Sequence, residues 1–211
     1  MARFVDPAPP RVVVVRTERF ALRASIYLDL YASLVRGDDG DLGEMRDRAR
    51  RLTACDDDRC AATALAGDAH AGAFEAALPA FGAPWRAYFA RERAAMERAL
   101  PWLADNEDAI ARSLARDLAL VWPQDPVVLA VTAHAVLPSA RGSVDAPTLD
   151  VEGGCFAGAA ILECAFSSAA RILAPHLPRE TLAHAVGLAV VRAVPGYLPE
   201  PSRSPSPPAS H

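Results

Sequence analysis

Two apolar stretches with helical period close the chain, over about 154–174 and 178–194, and "APHLP" at 174–178 parts them because its prolines deny either helix a continuation. In the first, Leu162, Ala165, Phe166, Ala169, Ile172 and Leu173 follow i, i+3, i+4, i+7, i+10 and i+11, so one whole face must be buried. The two helices close the fold, with the apolar face of the first set against a core to which the preceding layer contributes.

That layer is read as helices with a small sheet. "RVVVVR" at 11–16 is short, β-branched and bounded by Pro, which predicts a strand. "TERFALRASIYLDLYASLVRG" places Phe20, Ala24, Tyr27, Leu28, Tyr31 and Leu34 on one face, predicting a helix capped by Thr17 and stopped at Gly37. Asp41 with Glu44 three residues on predicts a capped second helix, and an EF-hand fails there because Gly43 takes a ligand position. Further helices are expected at about 61–79, 84–103 and 105–121, with a break marked by Pro101. "VVLAVTAHAVLPS" at 127–139 has strand composition, and "APTLDV" at 146–151 is expected to pair with it. The expected class is therefore α+β, predominantly helical, with a small β-sheet. Residues 1–10 and 199–211 are rich in Pro and Ser with little to bury, so they are expected to be disordered around a single globular domain over 11–198.

Charge and composition exclude several classes of function. A net charge of −4 opposes a broad phosphate-binding surface, so no nucleic acid is expected. No apolar run reaches the roughly 20 residues of a membrane span, and a secretory signal is missing at the start, so a soluble cytoplasmic protein is expected. In that compartment the four Cys would mostly remain thiols, and Cys55 and Cys60 in "CDDDRC" read as two free thiols in a polar loop in preference to a metal chelate or a local disulfide, their pairing being left open. Phosphate-binding and hydrolase motifs are absent. "GGCFAG" at 153–158 is read as a tight turn into a packed helix. His70, His134, His176 and His184 are too scattered to show ligand spacing.

The stripe Glu163, Ser167, Arg171 runs at i, i+4, i+8 along the first closing helix. The i, i+4 spacing is that of the two zinc-binding His of H-E-x-x-H, which one helical turn brings to a single ion. "GAAILECAFSSAARIL" at 158–173 resembles the active-site helix of bacterial zincin-like metallopeptidases, whose form is A-L-E-x-x-F-H-E-x-S-H. Ala160, Leu162, Glu163 and Phe166 match its framework, whereas Ser167, Ser168 and Arg171 stand at the two His and the Glu. "HAVGLAVVRAVPGYLP" at 184–199 resembles the next helix of that family and its P-G-Y-x-P turn, but the Glu implied as third ligand is missing and Leu188 or a neighbour takes its place. The resemblance spans about 120–199, with weaker agreement at 11–35.

This resemblance implies a zincin-like helical domain whose catalytic motif is lost. Ser hydroxyls are poor zinc ligands, and an Arg about 4 Å from the ion would add roughly 4 kcal/mol of repulsion per unit charge at an effective dielectric near 20. No catalytic residue, metal ligand or cofactor is expected. The vestigial site is Glu163, Ser167, Ser168 and Arg171, with His184 and His134 as candidate cleft residues. Arg171 would pair with Glu163 through Ser167 or hold an acidic ligand group; alternatively all three face solvent. The expected function is that of an inactive pseudopeptidase binding a peptide or protein partner. The alternatives are an unrelated helical scaffold domain, and an active metallopeptidase using non-standard ligands such as Glu163, His184 and His134.

Overall fold

A computed structural model describes residues 10–36, 41–133, 148–151 and 154–197. The chain is mostly helical around a mixed sheet of order β1-β2-β3-β4. β1 (Val12–Arg16) and β2 (Phe20–Ser25) form an antiparallel hairpin, Val12 opposite Ser25 and Arg16 opposite Ala21. β3 (Val127–Thr132) runs parallel to β2 with Phe20 opposite Val127, and β4 (Thr148–Asp150) runs parallel to β3. Parallel neighbours need a crossover connection. Between β2 and β3 its described residues form five helices: α1 (Ile26–Leu34), α2 (Leu42–Thr53), α3 (Asp58–Ala64), α4 (Ala71–Ala77) and α5 (Gly82–Leu118). The closing pair is α6 (Ala160–Leu173) and α7 (Arg179–Ala193).

The helix expected over 17–37 is a strand for its first part. "FALRAS" is enclosed by β1 on one side and β3 on the other, and five of its six residues are buried. A central strand covered on both faces shows an unbroken apolar run, which a helical template also accepts. The helix starts only at Ile26, where Ser25 is extended and its hydroxyl accepts the Tyr27 N–H at 3.3 Å. Thr17 instead sits in the β1–β2 turn, its Oγ1 accepting the Phe20 N–H at 3.1 Å. Buried Glu107 of α5 pins that turn, accepting the Glu18 and Arg19 N–H groups at 3.0 and 3.3 Å and the Thr17 hydroxyl.

Other expected elements divide or merge. The 61–79 segment is α3 and α4, separated by a turn in which Gly67 has φ +78°, a left-handed conformation suited to glycine. The two helices expected around Pro101 are one, α5, with Pro101 exposed and Ala95, Met96, Ala99, Leu103, Ile110 and Leu114 buried on the same helix. Packing on both flanks outweighs the one backbone bond that Pro101 cannot make. Asp41 caps α2 as expected, accepting the Gly43 N–H at 2.7 Å and the Glu44 N–H at 3.3 Å. "TLD" pairs with β3, also as expected.

α6 is fixed to the sheet by an aromatic triad. The Phe166 ring lies 4.9 Å from Phe20 of β2 and 5.4 Å from Trp122, whose ring is 5.8 Å from Phe20. Phe20 and Phe166 are fully buried, so this contact sets which face of α6 looks at the sheet.

Candidate functional site

With Phe166 inward, the Glu163–Ser167–Arg171 stripe borders α7. Glu163 is half-buried and accepts a hydrogen bond from the Tyr197 hydroxyl, and desolvation raises its carboxyl pKa despite that donor. Across from it on α7 is Gly187, where a Cβ would lie 3.8 Å from Glu163 Oε1, so the small residue lets the helix pass over the carboxyl. Ser167 is half-buried. Ser168 is buried, its hydroxyl donating to the Cys164 carbonyl at 2.8 Å, a turn back along its own helix.

Arg171 lies two turns further on, about 12 Å along the axis from Glu163. The expected pairing of Arg171 with Glu163 through Ser167 is therefore not made: Glu163 is engaged at Tyr197, and Arg171 lines a groove at the opposite end of α6. That groove, of about 750 Å³, lies between the C-terminal end of α6, the start of α7 and the first residues of β3. Ser168, Arg171 and Ile172 come from α6, Arg179 and Leu182 from α7, and Val127 and Val128 from β3. Arg50 of α2 closes one side, itself paired with Asp47 at 2.9 Å.

Two properties of this lining bear on a ligand. Its charged groups are three guanidiniums, Arg50, Arg171 and Arg179, against one carboxylate, Asp125. Its wall includes Val128 and Ile172, 45% and 46% exposed, large side chains that would lose water on contact with an apolar group. A concave surface of this kind suits an anion attached to an apolar body.

Of the two histidines expected near the site, only His184 is among the described residues. His184 is exposed on α7 and outside the lining, and His134 lies outside the described residues. Among the described residues no group of three or more His, Cys, Asp or Glu could hold a metal ion.

The expectation of free thiols is overturned. Cys55 pairs with Cys60, and Cys155 with Cys164. In the first pair the α2–α3 turn brings the two Cα atoms to 5.3 Å, within disulfide range, which the separation of five residues alone did not decide. The second ties the turn before α6 to the residue after Glu163. Gly154 and Gly158 in that turn have φ +85° and +59°, so the Gly-rich segment serves the backbone's path into a packed helix.

A buried acid pair escaped the sequence reading. Asp29 of α1 and Glu92 of α5 are both 0% exposed at the C-terminal end of β3, where the Ala133 N–H reaches Glu92 Oε1 at 2.7 Å and Asp29 Oδ1 at 3.3 Å. Desolvation pushes Glu92 up to about 11 and Asp29 up to about 6. Two carboxylates this close cannot both stay charged, so Glu92 keeps its proton and donates it to Asp29. Neither lines the groove, so the pair ties α1 and α5 to the sheet. The signal was present: Glu92 is in phase with Trp85, Ala95, Met96 and Ala99 on the apolar stripe of α5.

Compared with family models, with curated proteins and with solved structures, the chain matches none.

Proposed function

We propose that this chain is a catalytically silent, zincin-like binding protein that holds the acidic group of a peptide in the groove at the end of α6. The observation that carries the reading is that Arg171 lines the groove beside Arg179 and Val128; the resemblance sets this residue at the second zinc-ligand position of its motif. A guanidinium there repels a dication and attracts a carboxylate, so this groove suits an acidic group and opposes zinc. The framework residues of the resemblance are engaged in packing: Phe166 sets α6 on the sheet, and α7 passes over Glu163 at Gly187. Ser167 and Ser168 offer only hydroxyls, and Ser168 donates its proton to Cys164.

No described helix is long and apolar enough to cross a membrane. Two disulfides favour an oxidising compartment over the cytoplasmic setting expected from the sequence, because cytosolic thiol pools keep such pairs reduced. Elemental analysis of protein produced with ample zinc, alongside a peptidase assay, tests the silent reading. Protein without bound zinc and without proteolysis is expected; stoichiometric zinc with chelator-sensitive cleavage would overturn it.

A further inference from the structure

A second hollow, of about 540 Å³ and separate from the α6 groove, is lined by both members of the Cys55–Cys60 pair. Its two sulfur-bearing residues are unequal: Cys60 is exposed and Cys55 is fully buried. Arg51 and Arg59, both exposed, line the same hollow with one carboxylate, Asp57, while the neighbouring Asp56 and Asp58 are paired with Arg23 and Arg11, so the two guanidiniums outnumber the acid of the lining and draw in an anionic thiol. We propose that Cys55–Cys60 is an exchangeable dithiol–disulfide site that reacts with small anionic thiols.

The surrounding bonds hold the turn whether or not the sulfurs are joined. The Cys55 N–H donates to the Leu52 carbonyl at 3.1 Å, the Cys60 N–H to Asp57 Oδ1 at 2.7 Å, and the Ala61 N–H to the Asp57 carbonyl at 3.1 Å. The Arg23 guanidinium bonds the Cys55 carbonyl and Asp56. An opened pair therefore stays in position to close again. Once opened, Cys55 has an acceptor in place, since the Arg51 carbonyl lies 3.6 Å from its Sγ. Cys155–Cys164 differs, because both of its members are half-buried.

The exchange balances with a small monothiol as reductant. Its thiolate attacks the exposed Cys60 Sγ; a new S–S bond forms, the bond to Cys55 breaks, and Cys55 takes up the proton the thiol gave up. A second thiolate attacks the small sulfur of the mixed disulfide, releasing the thiolate of Cys60, which is protonated in turn. The protein disulfide has then gained two electrons and two protons, and two thiols have left as their disulfide. The reverse sequence, starting from that small disulfide, closes the pair again.

The test equilibrates the native full chain in glutathione buffers of graded ratio, traps thiols by alkylation and reads each pair by peptide mass. Cys55–Cys60 is expected to open at a reducing ratio at least about tenfold milder than Cys155–Cys164 requires, with the far-ultraviolet spectrum unchanged. In Arg51→Ala/Arg59→Ala the opening rate is expected to fall severalfold, and in Cys55→Ala one glutathione is expected to remain on Cys60. Opening of both pairs at one ratio, or of neither before unfolding, would overturn the proposal.

Discussion

Glu92 and Asp29 show how much one proton can matter when no water reaches it. Ionised in the unfolded chain from about pH 4.5 upward, Glu92 is neutral in the folded one until about 11, so the folded state binds the extra proton. Stability contributed by this proton is complete below the unfolded value and falls as pH rises through the window, by up to about 1.4 kcal/mol per pH unit. Asp29, raised to about 6, adds to the fall at its acidic end. Glu92→Gln, whose amide can donate permanently to Asp29, is expected to flatten the decline of the denaturation midpoint between pH 5 and 9; an unchanged slope would remove the shared proton. Phe166→Ala, which empties the fully buried contact between α6 and the sheet, is expected to cost about 3–5 kcal/mol in chemical denaturation. Phe166 was legible because its neighbours repeat at helical spacing. Glu92 was passed over because a charge among Arg and Glu neighbours reads as solvated, although its phase was that of the buried stripe.

At the scale of elements, periodicity located α2, α6 and α7 and both parallel strands in the second half, where caps and prolines punctuate the pattern. It failed for β2, since an enclosed strand and a buried helix carry similar apolar runs and only the pairing with β1 and β3 distinguishes them. It also divided α5 at Pro101, where the local rule was overridden by packing on either side. Pro101→Ala should restore the missing N–H to a continuous helix and is expected to raise stability by about 2 kcal/mol, the helix gain less the lost stiffness of the unfolded chain. A lower midpoint would show that α5 depends on a bend at that residue. Replacing both Cys155 and Cys164 by Ser opens the loop that ties the preceding turn to α6, and about 2–3 kcal/mol of destabilisation is expected by equilibrium unfolding.

For the whole molecule, the fold class could be read from the chain, whereas the site could be read only in part. The spacing of Glu163, Ser167 and Arg171 is a property of one helix, so their common stripe was accessible from the sequence. That α7 meets this stripe at Gly187, that Tyr197 takes Glu163, and that Arg50 approaches from α2 are tertiary facts with no local signature. They divide the stripe between a carboxyl facing α7 and an arginine facing a groove. Under the proposed function, Arg171 is the ligand-binding cation. Calorimetric titration with a short peptide bearing an acidic residue beside an apolar one tests this most directly, comparing wild type with Arg171→Glu at matched thermal midpoints. One-to-one binding by wild type, weakened at least about tenfold by the charge reversal, is expected. Equal affinity in the two proteins, or no binding by either, would contradict the account.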